Sequence, residues 1–371
     1  MHIGTWNVRT LLQAGKLENA KQEMKRNRLD VMGMCEMRWG GNGELVSGDY
    51  KLFYSGEEKQ GQHGVGVLLG PRVKDKVRRV DYIDGRLMMV RLEGSEKDLV
   101  IVQTYMPTSQ YDEEQVDQCY GRMEEIIERE ARGASIMIMG DWNAVVGEGA
   151  EGTTVGGFGY GTRNERGTKM INFCKDKSFV VGNTLFDHPK RRRYTWTSSL
   201  DEERYQLDYI LIQKRFRNCL KNAKTYPGAD INSEHNLVVA EVEIKLKRVR
   251  GGKRVEKLNL ELLQEEGKRN ELVNRYSAKR KERKEEINEE WSNMSKCLKE
   301  AAKETVGITK SRRIRKEWIN VDMLKKMEER RKWKNDKTDL GKRTYRKLDN
   351  ELRRETDKAR NKWLQERCLE I

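Results

Sequence analysis

All four prolines (Pro71, Pro107, Pro189 and Pro227) and 27 of the 32 glycines of this 371-residue chain precede position 251. Glycine and proline close turns and end helices, so the first 250 residues are punctuated for many short elements, while the last third can form little except helix. Within the punctuated part, Ile3 to Val8, Val31 to Cys35, Val65 to Leu69, Leu87 to Leu92, Leu99 to Tyr105, Ser135 to Met139 and Leu207 to Ile212 read as strands. Ala14 to Arg28 and Glu113 to Arg132 carry helical spacing, and Ala240, Val242, Ile244 and Leu246 alternate with polar residues as a half-buried closing strand does. Strands interrupted by helices predict an α/β fold in which two packed β-sheets are covered by outer helices. The glycine-heavy stretch Gly147 to Gly167 is expected to be a mobile loop.

Charge divides the chain at the same place. Residues 1–250 hold 39 Lys and Arg against 36 Asp and Glu, and residues 251–371 hold 36 against 24, so 12 of the net +15 charges belong to the tail. Gly251-Gly252, flanked by Lys247-Arg248 and Lys253-Arg254, is the expected hinge between domains 1–250 and 251–371. The first of these is expected to fold and act without the second. In the tail, Ile287, Trp291, Met294, Leu298 and Ala302 form one apolar stripe, and Leu348, Leu352, Ala359 and Trp363 predict another helix. Basic runs such as Ala278 to Lys281 and Ser311 to Lys316 suit DNA, and RNA through the tail, and they suit nuclear import; solvated helix faces are the competing reading. No apolar run reaches the roughly 18 residues of a membrane span, and Met1 to Trp6 has no signal-peptide pattern. Cys35, Cys119, Cys174, Cys219, Cys297 and Cys368 are scattered singly. An intracellular protein with reduced thiols, no zinc cluster, no membrane partner and no small-molecule cofactor is therefore expected.

Five segments place amides, carboxylates or an imidazole beside strand-like runs: Thr5-Trp6-Asn7-Val8-Arg9, Cys35-Glu36-Met37-Arg38, Gly140-Asp141-Trp142-Asn143, Leu207-Asp208-Tyr209-Ile210 and Ser233-Glu234-His235. Loops at strand ends are where a sheet scaffold displays chemistry, and a set rich in hard oxygen ligands suits Mg²⁺ or Mn²⁺. Taken singly, each is as readily a turn residue or a helix cap.

Their order along the chain, with Tyr105 in Tyr-Met-Pro, resembles the endonuclease/exonuclease/phosphatase superfamily, the fold of DNase I, over residues 2–246. More narrowly, Tyr105-Met-Pro-Thr, Gly140-Asp-Trp-Asn-Ala, Tyr194-Thr-Trp-Thr-Ser and the segment Lys325 to Lys334 are similar to the endonuclease region of an RTE-type LINE retrotransposon. The resemblance implies a four-layer α/β sandwich followed by a basic helical tail, and a Mg²⁺-dependent endonuclease that nicks DNA. It implies Asp141 as base for the attacking water, Asn143 fixing its angle, His235 facing the phosphate, Asp208 holding the imidazole and Tyr105 in the phosphate shell. Glu36, Asn7 and Glu234 would serve the metal and Arg38 would contact nucleic acid; Tyr194 and Trp196 would stack on it, with a place in the core the competing reading for an aromatic pair on a strand. Ser233-Glu234-His235 departs from the family's Ser-Asp-His by one methylene, and a displacement of about an ångström can cost on the order of 10²-fold. The alternative reading is accordingly a catalytically weak or silent, host-adopted protein that binds nucleic acid or other partners. No Tyr-x-Asp-Asp or Phe-x-Asp-Asp motif occurs, so the tail is read as the linker preceding an absent reverse transcriptase.

Overall fold

The computed structural model describes residues 1–58, 61–131, 133–198, 202–243, 258, 260–280, 287–307 and 318–369. In chain order the strands are β1 (His2–Asn7), β2 (Val31–Cys35), β3 (Asn42–Ser47), β4 (Tyr50–Ser55), β5 (Val65–Leu69), β6 (Val77–Tyr82), β7 (Leu87–Leu92), β8 (Asp98–Tyr105), β9 (Ala134–Asp141), β10 (Phe179–Val181), β11 (Trp196–Thr197), β12 (Arg204–Tyr205), β13 (Asp208–Gln213), β14 (Leu220–Tyr226) and β15 (Leu237–Val242). The helices are α1 (Lys16–Arg26), α2 (Glu113–Glu130), α3 (Glu165–Asp176), α4 (Glu266–Lys279), α5 (Ile287–Val306), α6 (Val321–Trp333) and α7 (Asp339–Leu369). The hinge Gly251-Gly252, the strand residues Ile244 and Leu246, and the basic run Ser311 to Lys316 lie outside the described residues.

A seven-stranded sheet, ordered β14-β15-β1-β2-β5-β4-β3, faces a six-stranded one, ordered β10-β13-β9-β8-β7-β6. Both are mixed: β1 with β2 and β8 with β9 run parallel, and the other pairs run antiparallel. The inner faces close on Ile3, Val31, Val67, Val90, Ile101, Met137, Ile210 and Val238. Helices α2 and α3 cover the outer face of the second sheet through Met123, Ile127, Met170 and Phe173, and α1 covers the first through Ala20 and Met24. Polar links cross the interior between the sheets: the Gln103 amide donates to Thr5 Oγ1 (3.2 Å) and Cys35 Sγ (3.0 Å), and Cys35 Sγ donates to Thr104 O (3.1 Å). Gln103 fits because residue 33 is glycine, where a Cβ would fall 1.7 Å from Gln103 Oε1.

Within the described residues the strands read from sequence form, but β3, β4, β6 and β14 were not legible. Their apolar alternation is interrupted, as in Val77-Arg78-Arg79-Val80 of the edge strand β6, where charge discourages pairing with another chain. The stretch from Gly147 is fastened rather than free. Val155 is buried and pairs with Val181, and Phe158 N donates to Thr184 O. Helix α3 starts within the stretch, on an Asn164 cap whose side chain accepts from Gly167 N.

The division by contacts differs from the split at Arg250 expected from charge. Met1–Val249 and Arg315–Ile371 form one unit and Arg250–Ile314 another. Helices α6 and α7 pack together through Met323, Met327 and Leu352, and Gly15 at the start of α1 meets Met327 and Thr356. In the other unit, α4 and α5 form a hairpin tied by Arg275 and Lys279 to Glu304 and by Arg280 to Glu290. Cys297, Ala301 and Val306 are buried there, whereas Trp291 and Leu298 of the expected apolar stripe are exposed, Trp291 by 71%. Small residues, not the large ones, form the inward face of α5. Among the described residues, no helix is long and apolar enough to cross a membrane.

Candidate active site

Strand register brings the site together. In the second sheet Tyr105, Asp141 and Asp208 are consecutive partners across β8, β9 and β13. In the first, Asn7 ends β1 opposite Cys35, so Glu36 follows at the same edge, and His235 lies two residues before β15. Gly140 permits the approach of β9 to β8, since a Cβ there would sit 1.8 Å from Thr104 O. The strand exits then turn sharply: Arg9, Glu36, Arg38, His63, Asn143 and Asn232 all hold left-handed backbone, which costs non-glycine residues of order 1–3 kcal/mol each and clusters at functional sites.

The side chains form one connected set. Asn7 Nδ2 donates to Glu36 Oε1 and Asp141 Oδ2, both at 2.9 Å, while its Oδ1 accepts from Arg9 N. Asn7 is thus a bridge between two carboxylates. Tyr105 OH donates to Glu36 Oε1 (3.1 Å) and Arg38 Nη2 to Glu36 Oε2 (3.1 Å). His235 Nδ1 meets Asp208 Oδ2 at 2.8 Å, and its Nε2 lies 3.8 Å from Asp141 Oδ2. Asn143 N donates to Asp141 Oδ1, so Asn143 fixes the carboxylate through its backbone, and its amide nitrogen donates to Met106 O.

Burial sets the protonation. Taking Asp141 out of water, with Asp208 adjacent, pushes its carboxyl up to about 7 against the pull of His235. Burial opposes a charge on His235, but Asp208 and Asp141 outweigh it and carry the imidazole up to about 9. Glu36 is also partly desolvated, yet donors from Asn7, Arg38 and Tyr105 hold it below the usual carboxylate range. Burial and the Glu36 and Asp141 charges drive the Tyr105 phenol up, so it stays a donor. At neutral pH the site therefore contains one cationic imidazole, an ionised Glu36 and a carboxyl poised to accept a proton.

Ligand atoms of Asp141, Asp208 and His235 lie within 4.8 Å of one another. Asp208 Oδ1 is buried with no hydrogen-bond partner among the described residues. The carboxylates of this set, with the orphaned Asp208 acceptor and with Asp141 bridged by Asn7 to the more accessible Glu36, fit a hard divalent cation, while the cationic His235 would not be a ligand. Glu234 is not brought into this set. Its carboxylate pairs with Arg9 Nη1 at 3.1 Å on the rim, where the guanidinium offers it a nearer positive charge. Tyr194 and Trp196 are half-buried beside the site. Trp196 pairs with His235 through the backbone and stacks on Tyr205, and Arg204 lies over Tyr194.

Several residues at the site were not singled out from sequence. Thr195 Oγ1 accepts from Leu207 N and Asp208 N, and Asn183 donates to Asp208 O and accepts from Ile210 N, so together they fix Asp208. Arg86 lies over the rings of Tyr105 and Tyr111 and bonds His63 Nε2 at 2.7 Å. His63 stands at the entry to β5, a place that by sequence favours a structural histidine.

Residues 4–220 match the Endonuclease/Exonuclease/phosphatase family, and the chain belongs to it. Among curated relatives, craniofacial development protein 2 of Bos taurus is 39% identical over 245 residues, which is 66% of this chain and 41% of that protein. The chain thus spans about two fifths of that relative's length. Among solved structures, the fold is similar to the catalytic domain of Xenopus laevis APE2, with a TM-score of 0.53, 14% identity, and coverage of 67% of this chain and 94% of that one. It is likewise similar to the AP endonuclease LMAP from Leishmania major, with a TM-score of 0.50, 15% identity, and coverage of 67% and 88%. At such identities the likeness speaks to the fold, and it agrees with the α/β sandwich expected from the motif order.

Proposed function

We propose that the chain is a Mg²⁺-dependent endonuclease that nicks DNA by hydrolysing phosphodiester bonds. The observation that carries this reading is the Asp208–His235 pair set against Asp141, which Asn7 ties to Glu36. Asp141, with a proton affinity near neutrality, accepts the proton of the attacking water. His235, held as a cation by Asp208, stabilises the charge that develops on the phosphate, and Tyr105 OH donates beside it. Glu36, with Asp141, would hold a divalent cation, Mg²⁺ or Mn²⁺, which when bound would supply Lewis-acid stabilisation. Descent from a LINE retrotransposon and a nuclear location belong to the same reading. The narrower motif resemblance supports the first, and the basic tail supports the second.

Supercoiled plasmid incubated with wild type and with Asp141→Ala, in Mg²⁺ and in EDTA, tests the activity. Nicking by wild type in Mg²⁺ alone is expected; equal nicking in EDTA, or by the variant, overturns it. One observation favours a second reading, a silent site on a nucleic-acid-binding protein: Glu234, which stands where the family's Ser-Asp-His carries its carboxylate, pairs with Arg9 on the rim. Tight binding of a labelled duplex without any cutting selects that reading.

A further inference from the structure

The matched family residues end at 220, before the loop that delivers His235, and that loop is held by the tail. Between β14 and β15 the carbonyls of Pro227, Gly228 and Ala229 accept, respectively, from Asn335, Arg331 and Lys334 at the end of α6. Asp230 is buried and fully engaged: Oδ2 accepts from Arg330 Nε at 3.0 Å, and Oδ1 accepts from Tyr345 OH at 2.8 Å and from Asn232 N at 3.0 Å. Asp349 of α7 bonds Arg330 Nη1 at 2.6 Å and Asn232 Nδ2 at 2.8 Å, so one carboxylate joins the helix pair to the left-handed residue of the loop.

The chain of contacts then runs directly into the site. Lys16 Nζ donates to Asn232 O (3.3 Å) and Val8 O (2.9 Å), Ser233 Oγ donates to Asn7 O (2.6 Å), and His235 N donates to Ser233 Oγ (3.2 Å). A buried ion pair adds little net stability but fixes one geometry, because removing either partner strands a charge. We propose that α6 and α7 form a clamp on residues 227–232, and that Arg330, Tyr345 and Asp349 are positioning residues for His235 and Asn7. The inference rests on the hydrolytic reading above and extends it: the charged tail is part of the active-site scaffold.

The full chain tests it with two readouts, plasmid hydrolysis in Mg²⁺ and amide hydrogen exchange without metal. Arg330→Ala is expected to lower kcat by about 10²-fold with KM held within about twofold, as loss of alignment does. Exchange should rise across 227–236 and stay as in wild type elsewhere in the sandwich. Arg330→Lys should recover most of the rate. Arg26→Ala, which breaks the Arg26–Glu328 pair between α1 and α6 and the Arg26–Glu23 pair within α1 but touches no residue of 227–232, should leave both readouts unchanged. Should Arg330→Ala fail to fold, Tyr345→Phe removes a single hydroxyl and should lower kcat by about 3–10-fold, one hydrogen bond's effect. Wild-type exchange and kcat in Tyr345→Phe and in any folded Arg330→Ala overturn the clamp, as does a rise in KM with kcat intact, which would make Arg330 a substrate contact. Absence of hydrolysis by wild type removes the functional reading alone, and the exchange data still decide the clamp.

Discussion

The two helical hairpins of the basic tail are both rich in charged residues and opposite in use. In α4 and α5 the cations Arg275, Lys279 and Arg280 pair with glutamates of the same hairpin at exposed positions, and Trp291 stands in solvent. In α6 and α7, Arg330 is buried on Asp230, while Arg331 and Lys334 satisfy carbonyls of the loop before His235. Exposed ion pairs contribute little and leave the helix surface open to other partners; a buried pair specifies a single docking. Net charge alone therefore does not say which part of a basic tail meets a polyanion.

Truncation after Val249 should break this comparison most severely. Removing residues beyond 249 takes away every donor to the 227–232 loop from α6 and α7, so plasmid hydrolysis should fall by at least about 10²-fold. Full activity in the truncated protein would return the tail to the independent domain expected from its charge. Next in size, Leu352→Ala, at a site 4% exposed, should cost about 2–5 kcal/mol in urea unfolding, whereas Trp291→Ala should stay within about 0.5 kcal/mol.

A pH series sharpens the same contrast at the site itself. With Asp141 near 7 and His235 near 9, hydrolysis should rise about tenfold per unit up to roughly pH 7 and fall above roughly pH 9. The folded pKa of His235 is raised above its ordinary 6.5, so its share of stability is complete below about pH 6.5 and is lost as pH rises through 9. In Arg330→Ala the upper limb of the rate profile should move down toward 6.5, because the loop no longer holds the imidazole on Asp208. The smallest effect is on binding. If α5 rather than α6 meets DNA, each of Lys296→Ala and Lys299→Ala should reduce the slope of log affinity against log salt by about 0.9, and Lys334→Ala should not. Fluorescence anisotropy of a labelled duplex across a salt series reads this directly.

Much of the site was legible because its residues sit where strands stop. Asn7, Tyr105, Asp141 and Asp208 each end or begin an apolar run, and their order along the chain carried the family resemblance. Arg38 proved to be a partner of Glu36, and Glu234 a partner of Arg9, which spacing along one strand cannot show. The clamp was invisible for a different reason. Gly228-Ala229-Asp230 reads as an ordinary turn, and Arg330 is one cation among many in a charged helix, so only the docking of α6 against a loop 100 residues away distinguishes it. Edge strands such as β3 and β6 escaped because charge breaks their alternation where sheets must not extend.

The pairing of β1 with β15, sealed where the Met1 amino group donates to Val242 O across 241 residues, has a consequence for biosynthesis. At about 5–20 residues per second, the second strand leaves the ribosome roughly 10–50 s after the first, and the helices that grip the loop before it emerge later still. Until then the first strand has only β2 on one side, and Asn7 has no His235 to work with. The residues proposed to act on a phosphodiester are thus brought together only after the segment from β1 through α7 is free to close around them.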